Sequence, residues 1–233
     1  MITDFHSHIL PKIDDGSASL EESIAMLRKE AEQGITHVVA TPHFYPNHDS
    51  PERFLARRAR AEAALREEME KHTGLPELSV GAEVYFFQGI SDCDVLKELT
   101  IGDSSCVLLE MPESSWTESM YREMERIWRR QDLLPVIAHV DRYISPLRDH
   151  GIPDRLEKLP VMVQANAGFF LRGTTSRMAM KMLRQDKSHV LGSDCHNLKD
   201  RAPNLGDAVR KIRHKLGEDA IEKIRRNEAH IFR

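Results

Sequence analysis

The amino-acid sequence predicts an α/β fold, a closed or nearly closed β/α barrel with seven strands, and three observations carry that reading. Strand-length apolar runs alternate with helical periodicities along almost the whole chain. The runs are near-continuous in apolar character, as parallel strands are when helices bury both faces. Residues able to bind a metal recur at the ends of the runs, where a barrel gathers them at one mouth.

The first run, Met1-Ile2-Thr3-Asp4-Phe5, delivers His6 and His8. Residues i and i+2 of a strand share a face, so the two imidazoles can meet one ion. Alone, a His-x-His reads equally as a hydrogen-bonded core pair. Ser19 and Glu22 then have the spacing of a capping box. Leu20, Ile24, Leu27 and Ala31 keep helical period until Gly34 ends it. His37-Val38-Val39-Ala40-Thr41 is a second strand and delivers His43. The segment from Pro51 to His72 is a long helix with Phe54, Ala61, Leu65 and Met69 on one stripe. Its arginines and glutamates read as a solvated face.

Leu78 to Ala82 leads to Glu83, and Cys106 to Leu109 leads to Glu110. A helix over about Glu118 to Arg130 precedes Leu134 to Ala138, which leads to His139. Val161 to Ala165 leads to Asn166. A helix near Ser176 to Gln185 precedes His189 to Ser193, then Asp194 and His196. Helices near Leu205 to Leu216 and Ala220 to Asn227 follow. An open doubly wound sheet is the alternative, but no Gly-x-Gly-x-x-Gly turn supports a dinucleotide fold.

The 233 residues are read as a single domain, 1–233, because no repeat, low-complexity tract or Gly/Ser linker marks a boundary. A hydrophobic content of 40% with 30% charged residues is that of a folded chain. A net charge of −4 makes no electrostatic case for nucleic acid or a membrane surface as partner. No run approaches the ~18 apolar residues of a membrane span. Asp4 stands inside the first strand, which leaves no basic region of a secretory signal. Cys93, Cys106 and Cys195 show no Cys-x-x-Cys spacing, so the expected location is a reducing cytoplasm.

Position turns these residues into a constellation. His6, His8, His43, Glu83, Glu110, His139, Asp194 and His196 all stand at or just past a strand end, and Asp15 lies in the first loop. Any one of them has a bland reading as a satisfied core polar group. Ligand-type residues at six strand ends point together to a metal site. Nine ligands are too many for one ion, so two or three ions sharing a carboxylate are expected. Mixed imidazole and carboxylate donors suit manganese, iron or zinc, not calcium. Three divalent ions would outweigh the four carboxylates, and a positive cavity suits an anionic substrate such as a phosphate ester.

The chain resembles the polymerase-and-histidinol-phosphatase (PHP) superfamily, and within it the bacterial manganese-dependent protein-tyrosine phosphatases linked to capsule and exopolysaccharide synthesis. The matching pieces include Asp4-Phe5-His6-Ser7-His8-Ile9-Leu10-Pro11, Ile13-Asp14-Asp15-Gly16, Thr41-Pro42-His43, Gly81-Ala82-Glu83 and Leu109-Glu110-Met111-Pro112. Ala138-His139-Val140-Asp141-Arg142, Gln164-Ala165-Asn166 and Ser193-Asp194-Cys195-His196 complete them in the family's order. The resemblance implies a distorted seven-stranded (β/α) TIM-like barrel and three metals: one on His6, His8, Glu83 and Asp194, a second bridged by Glu83 to Glu110 and His139, and a third on Asp15, His43 and His196. It implies Arg142 and Arg201 around the phosphate, which fits the bidentate match of guanidinium to phosphate oxygens. It also implies single-step hydrolysis by metal-activated water. The implied partner is a phosphotyrosine protein, the tyrosine-rich tail of a bacterial tyrosine kinase, and some relatives assemble as homo-oligomers. Val140-Asp141 departs from the family's frequent Pro-Glu. Tyr85-Phe86-Phe87 is bulkier than usual after Glu83.

Two rival functions remain: a small-molecule phosphatase of the histidinol-phosphate type, and a metal-dependent regulatory module without turnover. A rival chemistry is the thiolate loop, since Cys195-x5-Arg201 has its spacing. A presumed ligand inside that loop and nearby carboxylates that would raise the thiol's pKa weigh against it. The remaining histidines, His37, His48, His72, His150, His189, His214 and His230, read as structural or surface residues. The general acid is open between Asp141 and a metal-bound water.

Overall fold

The computed structural model describes residues 2–144 and 151–232; His150 lies outside them. Its strands are β1 (Thr3–Ser7), β2 (His37–Ala40), β3 (His43–Phe44), β4 (Glu77–Val80), β5 (Glu83–Tyr85), β6 (Cys106–Glu110), β7 (Leu134–Ile137), β8 (Met162–Asn166) and β9 (Val190–Gly192). All named pairings are parallel. One sheet has the order β1-β2-β4 and the other β3-β5-β6-β7-β8-β9. The protein is thus a mixed α/β fold built on parallel sheets.

The sequence leads one to expect seven strands, and nine are present among the described residues. The difference arises where two runs break. Thr41-Pro42 separates β2 from β3, and Gly81-Ala82 separates β4 from β5. Proline has no N–H to give to a ladder. Pairing nonetheless crosses both breaks, since Gly81 N donates to Ala40 O (2.8 Å) and Glu83 N donates to Pro42 O (3.0 Å). At the other edges, Asp194 N donates to His6 O and His8 N donates to Cys195 O, both at 2.8 Å. The segment after β9 therefore lies against the end of β1.

The helices are α1 (Leu20–Glu32), α2 (Pro51–Met69), α3 (Glu118–Gln131), α4 (Ile152–Leu156), α5 (Ala167–Leu171), α6 (Ser176–Arg184), α7 (Leu205–Leu216) and α8 (Glu218–Ile231). α1 starts where the cap spacing indicates: Ser19 Oγ accepts from Glu22 N at 3.2 Å. Glu22 reaches back one residue further than a standard box, accepting from Ala18 N at 2.8 Å. α2 begins with Ser50 as cap and Pro51 in its first turn, where a missing N–H costs nothing. The short α4 and α5 were not expected, because five residues are too few to show a helical period.

The larger apolar cluster joins strands to helices, as Val38, Leu109 and Val163 do with Leu27, Ile127 and Ile212. A smaller cluster is built mostly from alternate strand positions, Phe5, Val39, Leu108, Val136 and Val190, with Ile231 of α8. Strands packed on both faces leave only their C-terminal ends free to carry polar chemistry.

Candidate metal centre

All the candidate ligands but Asp15, which lies in the loop between β1 and α1, are carried by backbone at or just past a strand end. His6 lies in the last turn of β1, His43 and Glu83 open β3 and β5, Glu110 ends β6, and His139 and Asp194 stand two residues past β7 and β9. His139 (φ 30°) and Asp194 (φ 56°) adopt the left-handed region, which non-glycine residues rarely do. Such backbone persists where surrounding structure holds it, and it clusters at functional sites. Gly192 is required beside them: a Cβ there would stand 2.6 Å from His6 Cβ and 2.8 Å from Gln164 Nε2.

The structure brings all nine candidates together. His6 Nε2 and His8 Nε2 are 3.1 Å apart. Glu83 Oε2 sits among three imidazoles, 3.1 Å from His6 Nε2, 3.3 Å from His8 Nε2 and 3.0 Å from His43 Nδ1. Glu83 Oε1 lies 2.7 Å from His139 Nε2, and Glu110 Oε1 lies 3.7 Å from the same nitrogen. Asp194 Oδ1 is 3.6 Å from both His6 Nε2 and His8 Nε2. Asp15 Oδ1 is 3.4 Å from His196 Nε2 and 3.6 Å from His43 Nε2.

Eight of the nine fall into three groups with all members within 4.8 Å of one another: His6, His8 and Asp194; His43, Glu83 and Glu110; and His8, Asp15, His43 and His196. His139 stands outside these groups and joins the centre through Glu83 Oε1. Glu83 touches donors of more than one group, as a bridging carboxylate must. His8 joins the group of Asp15, its ring 3.8 Å from that of His196. Asp15 is the most exposed member, while His6, His8, Glu83 and His139 are buried.

The donor set itself tests whether divalent ions fit. Glu83 Oε2, Glu110 Oε2 and His196 Nε2 are buried yet have no hydrogen-bond partner. Buried polar atoms are ordinarily partnered. Lone pairs on unpartnered carboxylate oxygens and an imidazole nitrogen, converging in one place, suit cations. The set is the mixed nitrogen and oxygen chemistry of manganese, iron and zinc.

Electrostatics points the same way. Burial opposes ionisation of Glu83, but His6, His139 and His43 outweigh it and hold its carboxyl well below the usual range. Burial likewise opposes charge on His8, yet Asp14 and Glu83 raise its pKa to about 10. His196 is pushed down to about 4, by burial first and then by His8 and Arg201. Burial and the charge of Glu83 raise Glu110. A cation bound here would compete with these protons for the same lone pairs.

The sequence did not single out the side chains that aim the ligands. His8 Nδ1 donates to Asp14 Oδ2 (2.8 Å), and His6 Nδ1 donates to Gln164 Oε1 (3.2 Å). Each bond fixes a tautomer that leaves Nε2 free to face the centre. Gln164 Oε1 also accepts from His139 N at 2.6 Å. Asn166 Nδ2 donates to Asp194 Oδ2 at 3.0 Å. Gln164, Asn166 and Asp14 lie within matched motifs of the sequence, but nothing there showed which imidazole or carboxylate each one holds. Asp141 accepts from Asn166 N at 2.9 Å, which pins the loop carrying Arg142.

Both arginines reach the centre. Arg142 donates to Asp194 Oδ2 (2.7 Å) and Arg201 donates to Asp194 Oδ1 (2.6 Å), and both stay partly exposed at the mouth. The Cys195 thiol is fully buried in a group with Asp4 and Glu30, and burial raises its pKa well above the usual thiol range. That removes the nucleophile the thiolate reading needs. His37 is bound to Ser79 Oγ (2.8 Å) and His189 accepts from Val163 N (3.0 Å), so these two are structural. Tyr45 and Tyr85 flank the mouth with ring centroids 5.5 Å apart. Phe44 and Phe86, in contrast, are buried in the core and form no outer wall.

Comparison with known proteins places this geometry. A tyrosine-protein phosphatase CpsB of Streptococcus pneumoniae is 28% identical over 232 residues, covering 95% of this chain and 93% of that one. The tyrosine-protein phosphatase YwqE of Bacillus subtilis is 25% identical, covering 99% and 91%. A crystal structure from work on YwqE and the S. pneumoniae CpsB, described as metal-dependent tyrosine phosphatases, superposes with a TM-score of 0.81 at 22% identity, covering 96% and 94%. It shares the fold. The family model for capsular polysaccharide synthesis proteins CpsB/CapC matches residues 2–233, and the chain belongs to that family.

Proposed function

We propose that the chain is a metal-dependent protein-tyrosine phosphatase, with His6, His8, Asp15, His43, Glu83, Glu110, His139, Asp194 and His196 as metal ligands. The observation that carries this reading is the convergence of the nine on one mouth, with Glu83 Oε2 among three imidazoles at its centre, buried and without a hydrogen bond. When bound, two or three divalent ions, manganese foremost, supply activated water and a Lewis acid for the phosphoryl oxygens. The chain's own residues do the rest. Asp14 and Gln164 hold His8 and His6 in the ligating tautomer. Arg142 and Arg201 stand where guanidinium N–H groups can grip the equatorial phosphate oxygens and the charge that grows on them. Tyr45 and Tyr85 offer flat faces to an aromatic leaving group.

The reading extends to architecture and setting. The bonds that cross the two broken runs and join β9 to β1 support seven barrel strands in a single domain over 1–233. A phosphotyrosine-bearing tail of a bacterial tyrosine kinase is the proposed substrate, and the cytoplasm the proposed location. No described helix is long and apolar enough to cross a membrane.

Release of phosphate from a phosphotyrosine peptide and from histidinol phosphate, by chelated and manganese-loaded protein, tests the reading. Turnover of the peptide only after loading is expected. Full activity of metal-free protein, or preference for histidinol phosphate, would overturn it.

A further inference from the structure

A second cleft lies between α6 and α7, on residues that take no part in the metal centre. Its volume is about 780 Å³, and Arg177, Arg184, Lys211 and Lys215 line it without a single carboxylate. In a chain of net charge −4, that concentration of cations runs against the average. Most surface cations nearby are matched: Arg210 to Asp207, Arg213 to Glu218, Lys223 to Asp186 and Lys187 to Asp154. Asp207 of α7 and Glu218 at the start of α8 are thus already engaged. Among the described residues, no ion pair joins Arg177, Arg184 or Lys215 to a carboxylate. Lys211 Nζ donates to Leu171 O at 3.2 Å, which fixes that ammonium at the cleft wall. Met178, Met180 and Leu216 add an apolar surface.

Four like charges held together repel one another and lower stability unless an anion offsets them. Two guanidinium forks match phosphate oxygens bidentately, and two ammonium groups supply further point charges. The volume falls in the range of small-molecule pockets, roughly 300–1,000 Å³. Thioethers pack well against flat rings. We propose that this cleft binds a small organic diphosphate, its phosphates on the arginines and lysines and its organic body on Met178, Met180 and Leu216. A concave site of this size disfavours a flat bilayer, and the apolar surface favours a ligand with an organic body over a bare anion.

Titration calorimetry on manganese-loaded protein at about 0.1 M salt tests it, with ADP, inorganic pyrophosphate and a polyglutamate peptide as probes. The double variant Arg184→Glu/Lys215→Glu is measured in parallel, and its turnover of p-nitrophenyl phosphate should equal that of the parent, which shows that the metal centre is intact. ADP should bind the parent at micromolar concentration, at least tenfold tighter than pyrophosphate, and at least tenfold weaker in the double variant. Equal ADP affinity in parent and variant would place all binding elsewhere and overturn the proposal. So would ADP binding no tighter than pyrophosphate, or polyglutamate binding tighter than ADP.

Discussion

Asp14 Oδ2 lies 2.8 Å from His8 Nδ1 and accepts a second bond from the His43 N–H at 3.0 Å. One carboxylate thereby orients the imidazole of one proposed ligand and the backbone of another, without belonging to the proposed ligand set. His8 opposes with a charge that holds the Asp14 carboxyl well below its usual range, against the effect of burial. Replacing Asp14 by Asn would keep the volume but offer the ring nitrogen a weaker acceptor. Outer partners of this kind are typically worth about 10–100-fold in metal affinity or activity. Asp14→Asn should therefore lower metal affinity by roughly tenfold, and Asp14→Ala by more. Metal content after dialysis against a graded chelator is the measurement, and unchanged retention in both variants would remove the role.

Cys195 supplies a second test, because its sequence spacing to Arg201 suggests a different enzyme. The thiol is buried beside Asp4 and Glu30, while its neighbours Asp194 and His196 face the centre. The left-handed turn at Asp194 (φ 56°) separates the buried thiol from the two ligand side chains. Cys195→Ser should retain turnover within about threefold, a barrier change below one kcal/mol. Loss of activity with normal metal content would reinstate the thiolate.

Much of the site was legible because strand ends have one physical signature, an apolar run closed by a polar ligand type. His6, His43, Glu83, Glu110, His139 and Asp194 all carry it. Asp14 and Gln164 do not, since one sits in a loop and the other inside a run, and only the fold shows which imidazoles they hold. Gly192 was missed for a similar reason. Its need is set by His6 and Gln164, both distant in sequence. The start of α1 followed its cap, Ser19, whereas α2 ends at Met69 before the expected His72 and α8 runs from Glu218 to Ile231, past both expected ends at Ala220 and Asn227. The strand count did not follow, because Thr41-Pro42 and Gly81-Ala82 interrupt regular strand geometry although hydrogen bonds cross both breaks.

Glu228 carries a pH prediction away from the centre. Its carboxyl is 4% exposed and accepts from Thr3 N at 3.2 Å. Burial raises its pKa from 4.5 to about 7, more than the Thr3 N–H lowers it. Between those values the folded state holds a proton that the unfolded state has lost. Stability therefore falls as pH rises through that window and levels off above it. Glu228→Gln keeps the oxygen that accepts from Thr3 and cannot ionise. It should be more stable than the parent at pH 8 by about 1–3 kcal/mol, and equal at pH 4. Urea unfolding at the two pH values measures this, and a difference that does not grow with pH would refute it.

The final prediction concerns which phosphoester reaches the metals. His6, His8, Glu83 and His139 are buried, and Tyr45 and Tyr85 rise beside them at the mouth. A phosphotyrosine holds its phosphate far from its own backbone, so its ring can pass these walls while the peptide stays outside. A phosphoserine is shorter and would bring main chain against Tyr45. Leaving-group chemistry acts in the same direction. A phenol has a pKa near 10, so its oxygen departs with little help, whereas an alkoxide needs a positioned acid. Three candidate acids stand near the mouth, and each is already engaged: the Tyr45 hydroxyl lies 3.1 Å from His43 Nδ1, and burial with the charge of Glu110 raises its pKa above the usual phenol value. Asp141 accepts from Asn166 N, and the Tyr143 hydroxyl accepts from Met111 N at 2.8 Å with a pKa well above the usual phenol value. Matched phosphotyrosine and phosphoserine peptides should then differ in kcat/KM by at least tenfold under manganese, about 1.4 kcal/mol in the barrier. If Tyr45 is the wall, Tyr45→Ala should narrow that ratio by admitting the shorter substrate. Equal turnover of the two peptides by the parent protein would withdraw the preference while leaving the metal chemistry in place.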